Sequence, residues 1–311
     1  MMHQHGILFS FDNKGEQMMQ LTGLTLLITG GSRGLGLEMA HACARAGAAG
    51  ITLTAAPGSD ETTEAMIAEL TAAKQLVEEA GTPCLTVLSD VRISTQCQDA
   101  VDRHLERFGG LDALINNAGK AGRYAHGGQG DLPLHLQDPD GLIDIIQTNI
   151  AGPYLMVHAA LEALLKSPQG RIINISKRTD SMHQKAWTPY GPSKAALDAA
   201  TIAWAESLNE TSVTVNSLSP GGAVNTKFGT GSLTGKGIDP ATIGPISVWL
   251  VSKASAAFTG CRFVGDRWQH QIDPQVAAEG CRESAIFHRP NRSSPLDKAW
   301  LPPVNPPTVP K

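Results

Sequence analysis

The chain has 311 residues, of which 41% are hydrophobic and 17% are charged, and its formal net charge is −4 at pH 7. A chain of this size can bury a large core, and the lack of a basic excess argues against a nucleic-acid partner or a polybasic membrane patch. The five cysteines include no CxxC pair, which predicts neither a disulfide framework nor a metal site and favours a reducing, cytoplasmic location. The expected partner is a small molecule.

The first part of the chain, residues 1–20, has no basic start and no long apolar run. It is therefore predicted to be an N-terminal extension and not a secretory signal. Further along, no uninterrupted apolar run reaches the roughly 18 residues that a membrane-spanning helix needs. The sequence therefore predicts no membrane span.

From Leu21 onwards, short apolar runs alternate with segments of helical periodicity. The predicted strands are LTLLIT, GITLTAA, CLTVLSDV, LDALINNAG, RIINIS and VTVNSLSPG, and the predicted helices between them cover residues 35–46, 61–79, 95–108, 142–165 and 192–208. Repeated βα units in one register predict an α/β fold, a Rossmann-like doubly wound parallel sheet that forms a single domain over residues 21–270.

Two other segments are predicted to be irregular. Residues 120–140 are rich in glycine and polar residues and are expected to form a loop beside the cleft. Residues 271–311 are expected to form a Pro-rich C-terminal tail, because proline cannot continue a helix or a central strand. A solvated arm is favoured for this tail over a docking peptide for an SH3-like partner.

The first predicted strand runs into a glycine-rich turn, Thr29-Gly30-Gly31-Ser32-Arg33-Gly34-Leu35-Gly36, which opens a helix. Glycines let the backbone turn sharply and approach a pyrophosphate, whose charge meets the free N–H groups at the start of the helix. The position between the first strand and the first helix favours this interpretation over a flexible turn without a ligand.

The TGxxxGxG spacing resembles that of the short-chain dehydrogenase/reductase superfamily. Further matches follow in the order of that family: Asp90-Val91, Asn116-Asn117-Ala118-Gly119, Asn149, Tyr190-Gly191-Pro192-Ser193-Lys194 and Pro220-Gly221. The resemblance covers roughly residues 21–268. It implies an oxidoreductase that interconverts a carbonyl and an alcohol by hydride transfer with a nicotinamide cofactor, and a homodimer or homotetramer formed through the helices that carry Asn149 and Tyr190.

Tyr190 and Lys194 lie four residues apart, so a helix places them on one face. A nearby ammonium favours the phenolate and is expected to lower the pKa of Tyr190. The resemblance implies that Tyr190 is the general acid/base, that Lys194 binds the nicotinamide ribose, and that Asn149 holds a water that connects Lys194 to solvent. An ordinary helical asparagine satisfied by a backbone carbonyl remains the alternative for Asn149.

The resemblance also implies which residues hold the cofactor. Asp90 and Val91 are expected beside the adenine, and the segment 117–119 under the adenosine. The segment 220–226 is expected at the carboxamide, although it has one residue more than the usual spacing. The predicted cofactor-binding set is Gly30, Ser32, Arg33, Gly34, Leu35, Gly36, Asp90, Val91, Asn117, Ala118, Gly119, Tyr190, Lys194, Pro220, Gly221, Val224 and Thr226.

One position departs from the family pattern. The family has a serine thirteen residues before the tyrosine, and in this chain Lys177 stands there, next to Ser176. Three interpretations stay open. Lys177 stabilises the developing oxyanion or binds an anionic substrate group; Ser176 or Thr179 reaches the oxygen through an unusual turn; or the site binds cofactor with little turnover. The last case corresponds to an NADP(H)-binding regulatory or scaffold protein.

The second strand ends without the acidic residue that would bind a ribose 2′-hydroxyl, and Arg33 supplies a base inside the glycine-rich turn. These two features predict that NADP(H) is preferred over NAD(H). Asp60 and Glu61 follow closely, and a shifted strand end would place one of them at the ribose instead.

Overall fold

The computed structural model describes residues 10–11, 17–18, 20–58, 61–121, 133–183, 188–228 and 237–283. Most of the N-terminal extension, the middle of the predicted loop 120–140 and the Pro-rich stretch beyond residue 283 lie outside the described residues. No helix in the described part of the chain is long and apolar enough to cross a membrane.

The described residues form one large sheet and one small one. The strands of the large sheet, in chain order, are β3 (Thr25–Thr29), β4 (Gly50–Ala55), β5 (Cys84–Leu88), β6 (Ala113–Asn116), β7 (Arg171–Ile175), β8 (Thr214–Ser219), β9 (Arg262–Val264) and β10 (Arg282–Glu283). Their spatial order is β10-β9-β8-β7-β6-β3-β4-β5. All neighbours in it pair in parallel except β9 and β10, which are antiparallel. The small sheet pairs β1 (Ser10–Phe11) with β2 (Gln17–Met18).

Helices follow the strands and cover both faces of the large sheet. They are α1 (Gly34–Arg45), α2 (Thr63–Glu79), α3 (Ser94–Phe108), α4 (Pro139–Ile146), α5 (Gly152–Lys166), α6 (Tyr190–Ser207), α7 (Gly244–Val251) and α8 (Pro274–Cys281). The predicted Rossmann-like, doubly wound α/β fold is confirmed.

The apolar runs of the strands explain this arrangement. All five residues of β3 are buried, and successive side chains alternate between two hydrophobic clusters. Leu26 and Ile28 belong to the cluster that includes Met39 of α1, whereas Leu27 belongs to the cluster that includes Met156 of α5. Strands buried on both faces have continuous apolar sequences, which is why their positions were predictable.

Two of the predicted segments differ from the structure, and α7 and β9 were not predicted. The predicted helix 142–165 begins earlier, at Pro139, and a π-helical turn at Gln147–Ala151 separates α4 from α5. The predicted irregular tail begins too early, because residues 274–283 form α8 and β10. Asp273 caps this helix by accepting hydrogen bonds from the backbone N–H groups of residues 275 and 276, and proline is compatible with the first helical turn. Short elements of this kind carry little periodicity.

The change in strand order places a crevice at the carboxyl ends of β3 and β6. The chain runs from β3 outwards to β4 and β5, then returns to the other side of β3 with β6. Such a switch point leaves room between the loops that follow the two central strands, and ligands of doubly wound sheets bind there.

Candidate active site

The glycine-rich turn lies at this switch point and leaves no room for a side chain at Gly30 or Gly36. Gly30 and Gly34 have positive φ values of 63° and 56°. A Cβ atom on Gly30 would lie 2.9 Å from the Cα atom of Ala118. A Cβ atom on Gly36 would meet the carbonyl oxygen of Gly30 and the side chain of Asn117. The turn therefore packs directly against the segment after β6 and exposes backbone N–H groups at the start of α1, which suits a pyrophosphate.

Hydrogen bonds fix the segment after β6 to this turn. The Asn117 side chain donates from Nδ2 to the carbonyl oxygens of Thr29 and Gly30, at 2.9 Å each. The backbone N–H groups of Asn117 and Ala118 donate to the Thr29 hydroxyl at 3.0 Å. The predicted adenosine floor, residues 117–119, is thus held rigidly beside the glycine-rich turn.

A cavity of about 930 Å³ extends along the crevice, near the upper end of the range of roughly 300–1,000 Å³ for ligand sites. Fifteen of the residues predicted at sequence level line it: Gly30, Ser32, Arg33, Gly34, Leu35, Asp90, Val91, Asn117, Ala118, Gly119, Tyr190, Lys194, Pro220, Val224 and Thr226. Ser176 and Lys177 line it as well. The cradle of glycines, the exposed helix start and the size of the cavity all fit a nicotinamide dinucleotide.

Three predicted residues lie outside the cavity wall. Gly36 is packed under the turn, as described above. Gly221 has a φ of 105°, and a Cβ atom there would collide with the Asp266 side chain. Asn149 is fully buried in the π-helical turn. These three residues lie behind the residues that line the cavity.

A charged cluster around Asp90, which no local sequence pattern indicates, lies at the cavity. Arg92 binds both carboxylate oxygens of Asp90 through Nε, at 2.9 and 3.0 Å. Asp144 of α4 pairs with Arg92 and with Lys120. Asp90 thus lines the cavity within a cluster of four charges that connects the end of β5 to α4, and its place beside the adenine stays a prediction. Only spatial proximity reveals this cluster, since Asp144 is 52 residues from Arg92.

At the expected ribose position, Arg33 does not face the cavity with an unpaired charge. Its Nη1 atom pairs with Glu61 and lies 3.0 Å from both carboxylate oxygens of Glu69. Glu61 also lines the cavity and accepts a hydrogen bond of 3.0 Å from the backbone N–H of Gly58. The hydrogen bond that Arg33 donates to Glu61 lowers the pKa of the Glu61 carboxyl below its ordinary value. The Arg33 guanidinium and the Glu61 carboxylate thus occupy the same corner of the cavity.

Tyr190 and Lys194 begin α6 and face the cavity one helical turn apart. The Lys194 ammonium donates to the carbonyl oxygen of Ile175 at 2.8 Å. Burial lowers the pKa of Lys194 to about 8, although the charge of Asp198 opposes this. Burial raises the pKa of Tyr190 above its ordinary value. The expectation of a lowered Tyr190 pKa was therefore wrong, because the loss of hydration on burial raises it.

Asn149 lies behind Gly119, on the side of Lys194. Its side chain donates to the carbonyl oxygen of Lys120 at 2.9 Å and to the Ser193 hydroxyl at 3.0 Å, and it accepts from the Lys120 backbone N–H at 2.7 Å. A Cβ atom on Gly119 would lie 3.2 Å from Asn149 Oδ1 and 3.5 Å from Lys194 Nζ. The asparagine thus joins the loop after β6 to the start of α6.

The ammonium group of Lys177 lies over the ring of Tyr190. Its Nζ atom lies 5.2 Å from the centroid of the Tyr190 ring and donates to the carbonyl oxygen of Ser181 at 2.7 Å. The residue is 8% exposed, and burial lowers the pKa of its ammonium to about 8, against the charge of Asp180. Burial, and not repulsion between the two lysines, is thus the main cause of the lowered pKa of both Lys177 and Lys194.

The two hydroxyls that could have replaced the missing serine have other partners. Ser176 accepts a hydrogen bond of 3.3 Å from Arg262 Nη1. The Thr179 hydroxyl donates to Glu283 Oε2 at 3.1 Å. Among the three groups weighed for this role, Lys177 is the one whose polar atom contacts the Tyr190 ring.

The segment after β8 closes the far side of the cavity. A Cβ atom on Gly34 would lie 3.3 Å from the methyl group of Thr226, so this threonine reaches the glycine-rich turn. Phe228 lines the cavity with its ring centroid 6.0 Å from that of Tyr190. The Phe228 ring thus forms an apolar wall of the cavity next to Tyr190.

The fold and this cavity define a dinucleotide-binding α/β protein. The family model for short chain dehydrogenase matches residues 24–234. The chain is 32% identical to oxidoreductase UcpA of Salmonella typhimurium over 274 residues, which covers 80% of this chain and 95% of that protein. It is also 32% identical to hydroxysteroid dehydrogenase-like protein 2 of Danio rerio, over 79% of this chain and 58% of that longer protein.

A solved short chain dehydrogenase from Salmonella enterica serovar Typhi superposes with a TM-score of 0.68 at 26% identity, covering 79% of this chain and 96% of that one. The chain belongs to the short-chain dehydrogenase/reductase family, an oxidoreductase family that uses nicotinamide cofactors.

Proposed function

We propose that the protein is an NADP(H)-dependent oxidoreductase that interconverts a carbonyl and an alcohol, with Tyr190 as the general acid/base. The observation that carries this proposal is that Tyr190 and Lys194 face the same cavity as the glycine-rich turn. A buried phenol beside two ammonium groups is placed to donate a proton to a carbonyl oxygen. A regulatory protein that only binds cofactor has no need for this arrangement.

Each residue then has a part in the reaction. A bound nicotinamide supplies the hydride. Tyr190 donates its proton to the oxygen of the substrate, and the buried ammonium of Lys194 stabilises the phenolate that remains. Lys177 lies on the ring of Tyr190 and is suited to stabilise the growing negative charge on the substrate oxygen, or to bind an anionic group beside it. Asn149 holds the loop and the helix that carry this centre.

The preference for NADP(H) is supported by Arg33 and by the uncharged end of β4 at Ala55. Glu61 opposes it, since its carboxylate faces the same corner of the cavity.

By resemblance we also propose a homodimer or homotetramer, and the cysteine pattern favours a cytoplasmic location. We further propose that the single domain extends beyond residue 270 to residue 283, because it includes α8 and β10.

A second candidate is a catalytically impaired NADP(H)-binding regulatory or scaffold protein. The observation that favours it is Lys177, which replaces a hydroxyl with a cation that is already bound to the Ser181 carbonyl oxygen.

The deciding experiment is the single-turnover oxidation of bound NADPH, followed by absorbance with a panel of ketones, aldehydes and keto acids. The wild-type protein is compared with Tyr190→Phe and with the control Tyr154→Phe, which changes a half-exposed tyrosine on α5. We expect wild type and control to oxidise NADPH, and Tyr190→Phe to lose at least about a hundredfold in rate, the scale of general acid catalysis. Tight NADPH binding without turnover on any substrate would support the regulatory protein instead.

A further inference from the structure

A buried arginine lies directly behind Lys177. Arg262 of β9 is 3% exposed, and each of its three side-chain nitrogens has a partner on a different element. Nη2 donates to the carbonyl oxygen of Lys177, Nη1 lies 2.5 Å from Asp198 Oδ2, and Nε lies 2.8 Å from Glu283 Oε2. We call Arg262, Asp198, Glu283, Ser176 and Thr179 the Arg262 cluster.

The partners of Arg262 belong to the parts that form the reacting centre. Asp198 is on α6, four residues after Lys194 and eight after Tyr190, so it continues the same face of that helix. Lys177 and Ser176 follow directly after β7. A planar guanidinium with five N–H groups can serve acceptors in several fixed directions at once, whereas an ammonium group cannot reproduce this geometry.

Glu283 extends the cluster to the segment that follows Lys177. It stands opposite Arg262 in the antiparallel pair β9–β10. Its second carboxylate oxygen pairs with Arg267 at 3.1 Å, and its first accepts from the Thr179 hydroxyl. Glu283 on the end strand β10 therefore holds residue 179 directly, and it holds residue 177 through Arg262.

The geometry points to Arg262 and Glu283 as positioning residues for the reacting centre: together they fix the segment 176–179 against α6 and so hold the Lys177 ammonium on the Tyr190 ring. This inference rests on the proposed function for its kinetic consequence. Neither residue is predicted to touch substrate or cofactor, because neither lines the cavity. Arg262 and Glu283 affect the reaction through the position of Lys177.

The most informative variant is Glu283→Gln, because Glu283 lies at the edge of the sheet and its side chain is 25% exposed. Removing one partner of the fully buried Arg262–Asp198 pair would instead endanger folding. The matched control is Glu279→Gln, which removes an exposed carboxylate that pairs with Arg282 at 3.0 Å on the same C-terminal segment. Arg262→Lys is a second variant, which keeps the charge beside Asp198 but loses the three-way geometry.

Two measurements are made on the full chain. The first is the single-turnover rate of NADPH oxidation beside the NADPH dissociation constant from fluorescence. We expect Glu283→Gln and Arg262→Lys to lower the rate by about tenfold or more, the scale of a small misplacement of reacting groups. We expect their dissociation constants to stay within about twofold of wild type, since the cradle of glycines is untouched. Glu279→Gln should match wild type in both respects.

The second measurement is amide hydrogen exchange of residues 177–183. Faster exchange in Glu283→Gln than in Glu279→Gln is expected, because the segment loses an anchor. Unchanged exchange in this segment overturns the inference, and so does a wild-type rate of NADPH oxidation in both cluster variants. Should the wild-type protein oxidise no substrate, the proposed function fails on its own, and the exchange rate still decides whether the Arg262 cluster fixes the segment.

Discussion

Among single residues, the cation at position 177 is the feature that separates this site from the family pattern. Lys177 donates one hydrogen bond to the Ser181 carbonyl oxygen and lies over the Tyr190 ring. An ammonium can stabilise an oxyanion only while it is protonated, and burial has lowered the pKa of Lys177 to about 8. Lys194 has a pKa of about 8 for the same reason. We therefore expect both lysines to lose their protons over a similar range of pH, near 8.

This coincidence gives a prediction for the pH dependence of hydride transfer. In the wild-type protein, the logarithm of the single-turnover rate is expected to fall above pH 8 with a slope that approaches −2, because both lysines must stay protonated. In Lys177→Ser the maximal rate should drop by about tenfold or more, and the slope should approach −1, since only Lys194 remains. Stopped-flow NADPH oxidation between pH 6 and 10 measures both quantities.

The control for this prediction is Lys166→Ser, which removes a lysine of α5 whose side chain is 74% exposed and pairs with Glu162. It should keep the wild-type rate and slope. A Lys177→Ser protein that reduces every substrate at the wild-type rate would refute an oxyanion role for Lys177.

At the scale of single elements, the start of α1 and the first part of α2 lie next to each other at one side of the cavity. Arg33 directly precedes α1, Glu61 lies two residues before α2, and Glu69 lies in the second turn of α2. The carboxylates compete with any phosphate for the same guanidinium. We therefore expect the preference between NADP(H) and NAD(H) to depend on the pairs between Arg33 and these carboxylates, and not on Arg33 alone.

Removal of the charge on Glu61 tests this contact. Glu61→Gln should tighten NADPH binding relative to NADH by about fivefold, on the order of 1 kcal/mol, because a 2′-phosphate then meets less negative charge and gains access to Arg33. Fluorescence titration with each cofactor gives the two dissociation constants. Glu64→Gln, an exposed position in the first turn of α2, is the control. An unchanged ratio of the constants in Glu61→Gln would show that Glu61 does not face the bound cofactor.

The sequence predicts long elements better than contacts between them. The strands buried on both faces and the glycine-rich turn were predictable, because a continuous apolar run and the stereochemistry of glycine act locally. β9 has three residues and β10 has two, which is too short for any periodicity to show. The pairs Arg33–Glu61 and Arg262–Lys177 join residues that are 28 and 85 positions apart. Their existence depends on how the elements pack, and no local pattern indicates it.

For the whole molecule, a buried histidine links stability to pH. His104 of α3 is fully buried between Thr52 and the carbonyl oxygen of Gly110, at 2.7 and 2.9 Å from its ring nitrogens. Burial lowers its pKa to about 4, while the unfolded chain titrates near the ordinary value of about 6.5. The unfolded state therefore binds the proton first as the pH falls. Stability is fully present above about pH 6.5 and declines towards pH 4.

The expected loss over this range is on the order of 3 kcal/mol for His104 alone. In His104→Gln, the free energy of unfolding should be lower at pH 7, because the ring also packs on Phe108 at 5.1 Å, but it should depend less on pH between 6.5 and 4. Urea unfolding at several pH values measures this slope. The exposed His158→Gln should keep the wild-type slope, and an unchanged slope in His104→Gln would contradict the assignment.

The position of Glu283 on the outermost strand has a consequence for the order in which the protein is made. A ribosome synthesises the glycine-rich turn and residues 117–119 within the first 120 positions, whereas Arg262 and Glu283 follow more than 140 positions later. A nascent chain can thus contain every residue of the cofactor cradle before β9 and β10 exist to anchor the segment after β7. Premature termination before residue 283 would yield chains that retain the cradle but lack the anchor behind Lys177.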